Sequence, residues 1–209
     1  MKQEETTRGG RGSSSEGGML GRSSSGTVKN AVPIGEAISK GAGLYANEIQ
    51  NARDEMEREY GNIVSRANLA VADVGRDALG ASDGYTIYMS NRYVKNANMT
   101  EAMKEMAKSG FHPKIGKKTG AEAVTAHEMG HYLAEQASKR AGISQRDIVE
   151  RASKKAGIKV NHMASTISEY ARYNYHETIA EACTDVYCNG RRASKASKAI
   201  MAEIKSILK

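Results

Sequence analysis

Apolar residues recur every three or four positions in several segments of this 209-residue chain, a spacing typical of amphipathic helices. The segments with this helical spacing are 35–60, 98–109, 121–140, 144–156, 173–189 and 193–208. The stretch 62–84 has mixed signals that favour a strand weakly. Residues Tyr85–Met89 alternate polar with β-branched or aromatic side chains, as a strand does. The pattern therefore predicts an α+β fold with a small sheet and a mainly helical C-terminal part.

The first residues differ from the rest of the chain in composition. Residues 1–33 are rich in Gly, Ser and charge, as in the run RGGRGSSSEGG. Such a segment has too few apolar side chains to offset the entropy lost on ordering, so we expect a flexible tail. Residues 34–61 are expected to form a helical arm, either packed on the following domain or independent of it. Residues 62–209 are expected to form the main domain.

The longest helical pattern contains His127-Glu128-Met129-Gly130-His131. Histidines four residues apart project from the same face of a helix, so their ring nitrogens can converge on one metal ion. The glutamate after the first histidine can accept a proton from a metal-bound water as that water attacks a carbonyl. This is the HExxH pattern of zinc metallopeptidases. The motif fixes only three residues, and two exposed histidines on an ordinary helix are the alternative interpretation.

A third metal ligand is needed, because a catalytic zinc ion takes three protein ligands and keeps one position open. Glu177 and Glu181 lie four residues apart in the next strong helical pattern and share one face. One of them can bind the metal while the other accepts a hydrogen bond from a ligating histidine. The residues around them are apolar or small, and carboxylates in such surroundings need a partner. A helix with both acids in water is the alternative.

The segment Tyr170–Ala182, with the sequence YARYNYHETIAEA, resembles the C-terminal block of the anthrax lethal factor catalytic-domain family of zinc metallopeptidases. That family has a Tyr seven residues before a glutamate ligand, followed by the pattern Glu-x-x-Ala-Glu-Ala. Related peptidase domains of phage Mu F-like head-morphogenesis proteins are similar. The resemblance extends over about 85–189. The family often has Phe at the positions of Thr178, Ile179 and Cys183, a difference that concerns substrate contacts rather than the metal.

The resemblance implies a zincin-like fold for 62–209, with the small sheet packed on an active-site helix. It also implies a role for each of six residues. The expected Zn²⁺ ligands are His127, His131 and Glu177, the expected general base is Glu128, the expected oxyanion donor is Tyr170, and the carboxylate expected to support a ligating histidine is Glu181. We also expect an extended substrate to lie along the strand Tyr85–Met89.

The expected function is a zinc-dependent endopeptidase that acts on a protein or peptide substrate and is encoded by a phage or prophage. A phage head-associated structural protein that retains a zinc site without turnover is the alternative. A structural zinc site needs neither a general base at Glu128 nor a phenol at Tyr170, which favours the peptidase.

A basic protein associated with nucleic acid is a third hypothesis, because the net charge is +7. Seven Lys or Arg residues oppose two acids in 138–160, and six oppose one acid from residue 190 onward. No aromatic residues interleave these basic stretches, and no nucleic-acid-binding motif is present. We therefore interpret the excess charge as a solvated basic surface.

The remaining histidines and the cysteines are not expected to bind the metal. His112 precedes a proline in a predicted loop. His162 lies in a stretch whose secondary structure the pattern does not decide, and His176 points about 100° away from its neighbour Glu177 on a helix. Cys183 and Cys188 lack the spacing of a zinc pair or of a disulfide framework, and we expect reduced thiols.

The chain shows neither a signal peptide nor an apolar stretch long enough to span a membrane. We therefore expect the protein in the cytoplasm, with association with a virion as the alternative.

Overall fold

The computed structural model describes residues 22–23, 28–39, 45–75, 78–92 and 99–209. The helices are α1 (Ile34–Ser39), α2 (Ala46–Tyr60), α3 (Asn62–Ser65), α4 (Met99–Lys108), α5 (Gly120–Ala141), α6 (Gln145–Ala156), α7 (Val160–Met163), α8 (Tyr175–Asn189) and α9 (Lys195–Leu208). Short 3-10 turns occupy Ala164–Thr166, Tyr170–Arg172 and Gly190–Arg192. The strands are β1 (Arg22–Ser23), β2 (Lys29–Pro33), β3 (Asn68–Asp73), β4 (Gly80–Ser82) and β5 (Thr86–Ser90). The predicted α+β class is confirmed.

The strands form one mixed sheet in the order β1-β4-β5-β3-β2. β5 pairs antiparallel with β4 on one side and parallel with β3 on the other. The predicted strand at Tyr85–Met89 is therefore present, displaced by one residue, but the expectation that a substrate lies along it is wrong. Both of its edges are already occupied by neighbouring strands, and local alternation of side chains cannot reveal which strand is central.

The predicted tail is too long at its C-terminal end. Residues 1–21 and 24–27 lie outside the described residues, but Lys29–Pro33 form β2, which pairs antiparallel with β3. These five residues form hydrogen bonds with a strand far along the chain. The composition of the segment therefore does not predict that they form a strand. The predicted arm also packs on the main domain, because Ile49, Ala52 and Met56 of α2 are buried.

Helix α5 is the central element of the fold. Strands β4 and β5 and helices α2, α8 and α9 all pack against it. Its N-terminus has a capping box, in which the hydroxyl of Thr119 accepts from the N–H of Glu122 and the Glu122 carboxylate accepts from the N–H of Thr119. Gly142 ends the helix in a left-handed conformation, with φ of 63°. Both ends of α5 are thus fixed, and the helix agrees with the predicted 121–140.

Helices α5 and α8 approach closely because small residues meet where they cross. A Cβ atom added at Gly130 would lie 2.7 Å from the Cα atom of Ala180 and 2.8 Å from the Cβ atom of Cys183. Such distances leave no room for a side chain at this position. The close approach brings one face of α5 directly opposite one face of α8.

Two sequence expectations about the rest of the chain can be compared with the fold. Cys183 and Cys188 are free thiols, and burial raises the pKa of both. Within the described ranges, none of the helices has the length and apolar character that crossing a membrane requires.

The Gly130 contact predicts that Gly130→Ala destabilises the protein, since the new methyl group must displace the backbone of α8. We expect a loss of about 1–3 kcal/mol in the free energy of unfolding, measured by urea denaturation followed by circular dichroism. Gly35→Ala in α1 is the matched control, because no atom lies within 4 Å of a Cβ added there. Equal stability of the two variants would contradict the close approach of the helices.

Candidate metal centre

His127 and His131 lie on the face of α5 that meets α8. Their ring centroids are 4.9 Å apart and the ring planes are nearly perpendicular, at 82°. His127 is completely buried, whereas His131 keeps 7% of its surface exposed. The predicted pair of histidines therefore shares one helix face, in the interior of the protein rather than on an exposed surface.

Glu177 lies opposite the two histidines, in the first turn of α8. Asn174 caps this helix by accepting a hydrogen bond from the N–H of Glu177 at 2.9 Å. The Oε2 atom of Glu177 lies 3.2 Å from Nε2 of His127 and 3.5 Å from Nε2 of His131. All three atoms are buried, yet none has the alignment of a hydrogen bond with a described partner.

These distances fit a shared metal ion. Ligand atoms about 2.0–2.1 Å from a tetrahedral metal ion lie roughly 3.3 Å from one another. Both distances from the Glu177 carboxylate to the imidazoles are close to that value. His127, His131 and Glu177 thus form a buried group that could hold a metal ion.

The charges of the group depend on one another. Burial raises the pKa of Glu177, but the two histidines outweigh burial and lower it to about 2. Burial lowers the pKa of His127, but the carboxylates of Glu177 and Glu181 outweigh burial and raise it to about 10. Burial lowers the pKa of His131, and repulsion from His127 adds to this effect and outweighs the attraction of Glu177 and Glu181. In the metal-free protein, a proton on His127 therefore supplies the positive charge between the carboxylates.

Metal binding is predicted to release this proton. Below a pKa of about 10, His127 is protonated without metal and must lose the proton to bind the metal. Between about pH 7 and about pH 9, the association constant should therefore rise roughly tenfold per pH unit. Calorimetry in buffers of different ionisation enthalpy should give about one proton released per metal ion.

Glu128→Gln is the background for this measurement, because Glu128 itself titrates near the same range, with a pKa of about 8. A metal affinity in this variant that is the same at all pH values in that range would contradict a protonated His127.

Glu128 is a buried carboxylate without a hydrogen-bond partner among the described residues. Burial raises its pKa to about 8, and the negative charge of Glu177 acts in the same direction against the opposing effect of His127. A Cβ atom added at Gly80 would lie 2.8 Å from Oε1 of Glu128, so the backbone of β4 passes directly beside the carboxylate. A lone buried carboxylate is costly for stability, and perturbed acids of this kind cluster at functional sites.

Tyr170 lies beside the metal-binding group, within the 3-10 turn Tyr170–Arg172. Only 3% of its surface is exposed, and its ring centroid is 6.0 Å from that of His127. Burial raises the pKa of the Tyr170 phenol, and the negative charges of Glu177 and Glu128 raise it further. The hydroxyl therefore stays protonated and able to donate a hydrogen bond.

Glu181 lies behind His127 rather than among the three converging atoms. Its Oε1 atom is 2.9 Å from Nδ1 of His127, on the opposite side of the ring from Glu177. A carboxylate at Nδ1 fixes the ring tautomer and leaves Nε2 free to bind a metal ion. The structure thus places Glu177 where a ligand would be and Glu181 where a supporting carboxylate would be.

Two residues that the sequence did not predict hold Glu181 in place. Oε2 of Glu181 accepts a hydrogen bond from the Ser168 hydroxyl at 2.7 Å and lies 3.0 Å from Nδ1 of His112. His112 is 2% exposed, and its loop is tied to the turn of Tyr170 by a backbone hydrogen bond between Phe111 and Tyr170. His112 is not part of the metal-binding group, as expected, but it supports the group from behind.

No local signal in the sequence identifies these contacts. His112 and Glu181 are 69 residues apart, and the dipeptide His112-Pro113 indicates only a loop. The other two histidines, His162 and His176, are exposed and take no part in the group.

His112→Phe is predicted to weaken metal binding by about 10- to 100-fold, because Glu181 loses a donor and His127 its fixed orientation. His112→Asn should recover most of the affinity, since its amide can donate from nearly the same position as Nδ1. The measurement is competition with a chromophoric chelator, with the melting temperature as a check on folding.

His162→Phe is the control for that substitution, because His162 is an exposed histidine that lies outside the metal-binding group. An affinity of His112→Phe equal to that of the control would show that His112 only fills space.

Comparisons with protein-family models, with curated proteins and with solved structures give no match to this chain. The resemblance to the anthrax lethal factor family therefore stays a prediction, which depends on the quoted residues and on the site geometry.

Proposed function

We propose that this protein is a zinc-dependent endopeptidase with a zincin-like fold. The observation that carries the proposal is the convergence of His127, His131 and Glu177 on one point, beside the unpartnered buried carboxylate of Glu128. Helix α5 contacts both α8 and strands β4 and β5, so the site lies where these elements meet.

The donor atoms favour zinc over other metal ions. Two imidazoles and one carboxylate are a common ligand set of catalytic zinc, whereas Mg²⁺ and Ca²⁺ prefer oxygen ligands alone. The same set binds Fe(II) in oxygenases. Those enzymes have no requirement for a carboxylate one residue after the first histidine, and the buried Glu128 therefore favours zinc and hydrolysis.

A zinc ion held by the three ligands would lower the pKa of a water molecule and polarise the substrate carbonyl. Glu128 is proposed to accept the proton of the attacking water and to pass it to the leaving amine. Burial raises the pKa of the Glu128 carboxylate above its ordinary value, which makes it a stronger base than an exposed glutamate. Its burial beside Gly80 restricts the carboxylate to few orientations.

Tyr170 is proposed to donate a hydrogen bond to the oxyanion as the carbonyl is attacked. Burial and the negative charges of three nearby carboxylates raise the pKa of its phenol, which favours the protonated hydroxyl. Glu181 is proposed to keep Nδ1 of His127 protonated, so that Nε2 points toward Glu177.

The structural-protein alternative explains fewer of these features. Structural zinc sites usually have four protein ligands and need no base. The group here has three ligands within the described ranges, next to a carboxylate that has no structural partner there. For the nucleic-acid alternative, the basic residues of α6 and α9 are exposed apart from the half-buried Lys205, and no described feature beyond their charge favours that partner.

Glu128→Gln should keep the zinc ion and abolish peptide hydrolysis, because glutamine preserves the shape of the side chain but cannot accept the proton. The measurements are zinc content by mass spectrometry and turnover of a degenerate peptide library. Glu150→Gln on the surface of α6 is the control and should match the wild type in both. Hydrolysis by Glu128→Gln at the wild-type rate would eliminate the proposed mechanism.

A further inference from the structure

A cavity of about 260 Å³ opens beside the metal-binding group. Its walls come from the turn between β4 and β5, from α5, and from the first turns of α6 and α8. They include His131, Asp83, Gly84, Glu135, Gln145 and His176. None of the described residues that line the cavity has an apolar side chain.

The cavity adjoins the position where a metal ion would bind. His131 is the histidine of the group that lines the cavity, and it retains some exposure, whereas His127 is fully buried and lies behind it. A peptide with its carbonyl at the metal position would therefore place a neighbouring side chain in this cavity. The inference that follows rests on the proposed peptidase function.

The walls of the cavity present hydrogen-bond acceptors. The Asp83 carboxylate is held rigidly, because it accepts hydrogen bonds from the N–H groups of Tyr85 and Thr86 and from the Tyr88 hydroxyl. Gln145 is buried, and its side-chain oxygen has no donor among the described residues. Glu135 adds a second carboxylate on the α5 side.

Glu135 remains able to bind a substrate group. Its partner is Lys139, one helical turn away at 3.2 Å, with both side chains substantially exposed. Exposed pairs of this kind contribute little stability and exchange readily with water. A cation that enters the cavity can therefore replace Lys139 as the partner of Glu135.

We infer that this cavity binds a substrate side chain that ends in hydrogen-bond donors, that of lysine or arginine, next to the scissile bond. The carboxylates of Asp83 and Glu135 and the amide oxygen of Gln145 would receive the donors. A long aliphatic side chain would leave the Gln145 oxygen without a donor and would make no ion pair with the two carboxylates, so it should bind less tightly.

Lysine hydroxamate and norleucine hydroxamate test the inference by direct binding. Both compounds carry the same metal-binding group and a similar aliphatic chain, but only lysine carries the terminal ammonium. Calorimetry with the zinc-loaded protein should show that lysine hydroxamate binds at least about tenfold more tightly than norleucine hydroxamate. Glu135→Gln should lose most of this difference.

Glu150→Gln is the matched control, because Glu150 forms an equivalent i,i+4 pair with Arg146 but does not line the cavity. It should keep the preference for lysine. Equal or tighter binding of norleucine hydroxamate to the wild type would overturn the subsite and leave the peptidase proposal standing. A preference for lysine hydroxamate in Glu135→Gln as large as in the wild type would also overturn the subsite. Failure of both compounds to bind zinc-loaded protein would contradict the open metal position, and the subsite with it.

Discussion

The close crossing of α5 and α8 at Gly130 is the contact on which the rest of the site depends. Only a residue without a side chain fits against Ala180 and Cys183 at this point. The crossing sets His127 and His131 on one helix opposite Glu177 and Glu181 on the other. A wider separation would move Glu177 away from the imidazole nitrogens and leave its carboxylate buried without a partner, which costs stability.

The polar groups of the site form a chain that begins well behind the metal position. His112 and Ser168 hold Glu181, Glu181 holds His127, and His127 faces Glu177. Each link of this chain is buried, so each group depends on its neighbour for hydrogen bonding. Without metal, a proton on His127 balances the two carboxylates, and a metal ion would take over that role. The site is therefore arranged in advance of metal binding.

The parts of the structure that depend on local spacing could be predicted from the sequence. The i,i+4 spacing on α5 and on α8 is a property of the helix itself, so the two pairs of side chains were predictable. Their meeting was inferred from the chemistry of zinc and from the resemblance. The spacing alone does not decide which of Glu177 and Glu181 binds the metal, and the resemblance is what favours Glu177.

The parts that depend on contacts distant in sequence could not be predicted in this way. The strand β2 is ordered by pairing with β3, and the central position of β5 follows from the sheet order. Tyr170 lies in a 3-10 turn outside helix α8, which starts at Tyr175 because the side chain of Asn174 caps it. His112 and Ser168 reach Glu181 only through the fold, and no periodic pattern identifies them.

The most direct measurement of the central claim compares the zinc dissociation constants of Glu177→Ala and Glu181→Ala with that of the wild type, by competition with a chelator. If Glu177 is a ligand and Glu181 supports His127, Glu181→Ala should weaken binding by about 10- to 100-fold, and Glu177→Ala should weaken it much more. The reverse order would exchange the two roles. Wild-type affinity in both variants would contradict a metal centre at the crossing of α5 and α8.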